Sequence, residues 1–229
     1  MTASGKNESN SSSTEPSLGP ACMVVSILGL AGFAAICGLG SWAVFSNQYP
    51  IAVKSIQKQL IPWIEASQLA LPDKTSIISQ LESLIGKLED QSIDKSQLVR
   101  LRNCLQDNPV LLWGGIQSIE NQASAAGLTE TEVESLKRLN QRLLRMATER
   151  KLGRRDLEFT LQELSSVKSD RSTLEVRPDL TAMQIRSFMT RAESLVARAE
   201  IPNEPFEKTP AQSFAILLDA ALQPSSESF

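Results

Sequence analysis

Histidine is absent from all 229 residues. That removes the side chain that most often acts as general base near neutral pH, and the commonest transition-metal ligand with it. Cysteine occurs only at Cys22, Cys37 and Cys104. The first two lie in one apolar run, so Cys104 stands alone in the remainder, which excludes an internal disulfide or a thiolate zinc site there. A Cys-His nucleophile cannot be assembled, and no Gly-rich phosphate loop, EF-hand loop or G-x-S-x-G turn is present. Carboxylate pairs such as Glu89 with Asp90 and Glu130 with Glu132 fall at expected helix ends, where capping accounts for them. A formal net charge of -3 lacks the basic excess that phosphate backbones require, so nucleic acid is not an expected partner. No cofactor or metal is expected, and a membrane-tethered enzyme is the least favoured class.

Charge is missing locally as well. No charged residue falls between Glu15 and Lys54, and Ala21 to Phe45 reads as a nearly continuous apolar run. Its 25 residues, at about 1.5 Å each, give roughly 37 Å of helix against a hydrocarbon core of about 30 Å. Trp42, Phe45 and Tyr49 cluster at the end, where rings favour the headgroup level. The run predicts a single-pass transmembrane helix over 21–45. A preceding stretch without a basic cluster argues against a cleaved signal peptide. Lys54 and Lys58 beyond the run, against Lys6 before it, lean by a narrow margin toward a cytoplasmic C-terminal region. Ala31, Ala34, Gly38 and Ser41 recur at threes and fours, a candidate face for helix pairing.

What is present elsewhere is helical. Residues 1–20 are Ser/Asn-rich with little to bury and read as a disordered tail, as does 223–229. Residues 46–72 form a juxtamembrane helical segment that Pro62 kinks or ends and that Pro72 closes. The soluble domain is expected over 73–222. Asp73 is expected to cap a helix to about Asp90, with Ile77, Leu81, Leu84, Ile85 and Leu88 on one face. Asp94 caps the next, and Asn108-Pro109 opens another that Gly127 closes. Thr129 with Glu132 is a capping box for a helix ending near Gly153, and a further helix starts about Asp156. Pro178-Asp179 opens a long helix, and Thr209-Pro210 a short apolar one. No convincing strand appears, although Leu174 and Val176 alternate with charges. The expected fold is all-α: an α-helical bundle or array of helical hairpins behind the transmembrane helix. Leu84 and Leu98 are fourteen apart, as are Leu143 and Leu157, which suggests that 75–106 and 133–166 are related units.

Two features stand out. Gly114 and Gly115 inside an apolar helix disfavour it by about 2 kcal/mol relative to alanine, which either close helix packing against a bulky neighbour, the favoured reading, or a kink beside a pocket must offset. Between 137 and 155 lie eight basic residues against only Glu149. Arg138, Arg142, Arg145, Arg150, Lys151, Arg154 and Arg155 are therefore the candidate contact for a protein partner or anionic lipid, with a solvated helix face as the plainer alternative. The expected function is a membrane-anchored, non-enzymatic interaction or scaffold protein, its partners other proteins, including a second copy, and the bilayer. The alternative is a subunit or assembly factor of a larger membrane complex.

Overall fold

Apolar stripes at helical spacing must find one another, and from Tyr49 onward they do so within one unit. The structure, a computed structural model, describes residues 48–168 and 173–224. The tail 1–20, the apolar run 21–45 and its face of Ala31, Ala34, Gly38 and Ser41 lie outside the described residues. Among those that are described, no helix is long and apolar enough to cross a membrane. The fold is mostly helical, as the periodicity requires.

The chain begins as α1 (Gln48–Ser55), passes through a π-helical turn (Ile56–Leu60), and continues as α2 (Ile61–Ala66). Pro62 does not end the helical run, which continues beyond it to Ala66. Its ring displaces the ordinary bond to the preceding turn, and the ladder widens so that the Ile61 N–H reaches Ile56 O. Ile56, Ile64 and Leu69 are buried, and Tyr49 donates to Ile93 O at 2.6 Å, so this segment packs into the core.

α3 spans Leu71–Glu89. Pro72 opens this helix rather than closing the one before, since its missing N–H costs nothing in a first turn. Asp73 is not the cap; Ala70 is. Asp73 is instead buried within the first turn, where its carboxylate accepts from Gln117 Nε2 at 2.9 Å and Ala211 N at 3.2 Å. The predicted stripe of Ile77, Leu81, Leu84, Ile85 and Leu88 is buried throughout. α4 (Lys95–Gln106) starts from a capping box between Asp94 and Gln97. Asn108 then accepts from Val110 N, and a 3-10 turn (Pro109–Leu112) leads into α5 (Trp113–Gln122). The backbone of Gln68 and Leu69 runs directly over Gly114, while Val176 and Leu161 side chains press on Gly115. The glycine pair is thus explained by close packing, at Gly114 of backbone rather than of a bulky side chain.

α6 (Glu130–Thr148) has the expected reciprocal box between Thr129 and Glu132. It ends earlier than Gly153, because Arg150 takes the left-handed conformation (φ 58°) and turns the chain. Gly153 instead becomes the N-cap of α7 (Arg154–Leu161). The chain then makes a 3-10 turn (Gln162–Leu164) and a pair of four-residue antiparallel strands, β1 (Ser165–Lys168) and β2 (Thr173–Val176), with Ser165 opposite Val176. This hairpin corrects the expectation of no strand. It is held from outside, since Gln68 donates to Val176 O and accepts from Val176 N, at 2.9 and 3.0 Å.

α8 (Ala182–Arg198) starts three residues later than Pro178-Asp179 implied, because Thr181 and Gln184 make the capping box and Leu180 is buried ahead of it. α9 (Pro210–Leu222) packs on α3, α4 and α6 and buries Phe214, Leu217 and Leu218. Gln223, assigned above to a tail, is its C-cap, and its carbonyl accepts from Arg100.

The two suspected units share one turn, residue for residue. After α3, Gln91 is left-handed (φ 53°), Ser92 N bonds Lys87 O at 3.0 Å, and Ile93 is buried. After α6, Arg150 is left-handed, Lys151 N bonds Met146 O at 2.9 Å, and Leu152 is buried. Both are Schellman closures, and the same turn ends α8, where Glu200 is left-handed (φ 53°), Ile201 N bonds Val196 O at 3.2 Å and Ile201 is buried, so the shared turn does not by itself make 75–106 and 133–166 related units.

Candidate interaction surface

The capping box starts α6 at Glu130, and its apolar stripe of Leu136, Leu139, Leu143 and Met146 faces the core. The basic residues are thereby carried on its flank and outer face, and the Schellman turn at Arg150 carries the run round into α7. The structure divides these residues into two groups.

One group is engaged internally. Arg142 is half-buried and donates from Nη2 to Ile201 O at 2.7 Å. Arg145 bridges Glu149 at 3.0 Å and Glu204 at 3.3 Å, and those two carboxylates hold its guanidinium above its ordinary pKa. Lys151 meets the second oxygen of Glu149 at 3.0 Å. Lys151 first and Arg145 second push the Glu149 carboxyl below its usual range. Arg154 pairs with Glu158 at 2.7 Å and donates to Gln106 O at 3.2 Å, tying α7 to the end of α4. Arg142, Arg145 and Arg154 therefore fasten the fold, and only what remains of their surface is available to a partner.

The other group is uncommitted. Arg138 on α6, Arg150 at the turn and Arg155 on α7 are exposed, and none of their side chains makes an ion pair or hydrogen bond with a described residue. Arg150 lies near enough to Cys104 for its charge to oppose the upward push that burial exerts on the thiol. Cys104 is half-buried and donates to Leu217 O at 3.5 Å. Phe159, 68% exposed, sits one turn beyond Arg155 on α7.

A second surface runs along the outer side of α9. Pro205, Phe206, Glu207, Lys208, Gln212, Ala215 and Ile216 line an open cleft of about 710 Å³. A smaller hollow of about 230 Å³ lies between α3 and α9, bordered by Gln80, Ser83, Lys87, Ala215, Asp219 and Leu222 among others. The two meet at Ala215 and follow one helix face. The wall of the larger cleft belongs to the loop that Arg142 and Arg145 hold through Ile201 and Glu204, so part of the basic run serves this surface indirectly. Sequence reasoning missed the groove. Its signal was Ala215-Ile216-Leu217-Leu218, four successive apolar residues in a short helix, which point in every direction and so cannot all face one core.

No group of three or more Cys, Asp or Glu able to hold a metal ion comes together among the described residues. Comparison with protein-family models, with curated proteins and with solved structures finds no match.

Proposed function

We propose that the protein is a membrane-anchored, non-enzymatic interaction or scaffold protein, which presents its helical unit to protein partners at the bilayer. The observation that carries this reading is the division of the basic run. Arg142, Arg145 and Arg154 stiffen the α6–α7 corner, and that corner holds Arg138, Arg150 and Arg155 exposed and uncommitted. Arginines on a rigid support lose little freedom on contact, and they are enriched among the residues that dominate protein interfaces. The anchor at 21–45 contributes by confinement, raising the effective concentration of this surface for partners on the same membrane. The charge balance around the anchor favours a cytoplasmic location for the unit.

The basic corner and the start of the unit occupy opposite ends of α4. Tyr49 bonds beside Ile93 at the start of that helix, whereas Arg154 bonds Gln106 at its end. Twelve residues separate these ends by about 18 Å, roughly two Debye lengths at physiological salt. An acidic protein is the partner chemistry that these exposed arginines fit.

The test is charge reversal at Arg138, Arg150 and Arg155 together, in the full chain reconstituted into membranes. Partner capture is expected to fall at least tenfold, with the helical circular dichroism signal retained. Undiminished capture would remove this corner from consideration. Reversal at Arg142 or Arg145 is unsuitable, because either change also releases the 201–208 loop.

A second reading, a subunit or assembly factor of a larger membrane complex, is favoured by the half-exposed Ala215, Ile216 and Ala220 on α9. Extraction in mild detergent separates the two. A stoichiometric complex supports the second reading, and a monomer or homodimer supports the first.

A further inference from the structure

We draw no further inference here: the strongest candidate, the groove along the outer face of α9 between Phe206 and Lys87, carries both charge signs on its rim (Lys87, Lys208, Glu207 and Asp219), and nothing in the structure shows what covers it.

Discussion

Three glycines in helices offer a graded test of the packing. A Cβ built on Gly114 would lie 2.4 Å from Leu69 N and 2.5 Å from Gln68 C, both backbone atoms. Relief requires the α2–α3 connection to retreat by about 1 Å, since ordinary carbon contacts lie at about 3.5 Å or more. That connection is held by the two Gln68 bonds to Val176 and by Ala70 N donating to Gln117 Oε1 at 2.8 Å. Overpacking costs about 1–3 kcal/mol, and each stretched hydrogen bond contributes up to about 1 kcal/mol more. The gain in helix preference offsets at most about 1 kcal/mol. Gly114→Ala should therefore destabilise by about 2–3 kcal/mol, which in a unit of this size lowers Tm by about 5–10 °C. On Gly115 the same Cβ would meet only the ends of Val176 and Leu161 side chains, at 3.1 and 3.3 Å, so Gly115→Ala should lie within about 1 kcal/mol of neutral. On Gly86 it would meet nothing within 4 Å, and Gly86→Ala should stabilise by about 0.5–1 kcal/mol. Thermal unfolding of the full chain in mild detergent, followed by circular dichroism, ranks the three. Gly114→Ala as stable as Gly115→Ala would refute the packing of Gln68 and Leu69 on α5.

Arg142→Ala should lower stability by about 1–2 kcal/mol through loss of the charged bond to Ile201 O, whereas Arg138→Ala should change it by less than about 0.5 kcal/mol; equal effects in denaturant titrations would contradict the division of the basic run. Glu132 is held down to about 2, chiefly by the Arg186 guanidinium and then by the Thr129 backbone N–H. Its folded value is depressed, so its contribution is present above the ordinary carboxyl value near 4.5 and is lost as pH falls toward 2. Glu132→Gln should accordingly flatten the dependence of Tm on pH within that window, and an unchanged slope would rule the ion pair out as its source. Burial raises the Cys104 thiol, so alkylation by iodoacetamide should be slow in the folded protein and accelerate on denaturation; equal rates would mean that α9 does not cover it.

Much of the fold was legible because its signals are local. The Thr129–Glu132 capping box needs four consecutive residues, and the stripe from Ile77 to Leu88 needs only its own spacing. Both stand in the structure where the pattern put them. Asp94 likewise caps the helix expected of it. Boundaries were misread where a distant partner overrode local preference. Asp73 resembles a cap in isolation, yet it is recruited by Gln117 and by Ala211, far away in the chain. Gly153 resembles a stop, but Leu152 is drawn into the core and forces Arg150 to make the turn. The β hairpin has four residues a side, too few for a period to show, and side-chain bonds from Gln68 in another segment hold it in place.

The candidate surface divides along the same line. That 137–155 is basic follows from composition. Which arginines are spent on Ile201, Glu204 and Gln106, and which remain free, was not readable, because those acceptors are 48 to 59 residues away in the chain. The same holds for α9, which by pattern is one short apolar helix near the end. Only the tertiary structure makes it the element that joins α3 and α4 to α6 and leaves Ala215, Ile216 and Ala220 half-exposed. Helix start, stripe and charge depend on neighbours within a few residues. The use of a side chain depends on which surfaces the folded chain brings against it.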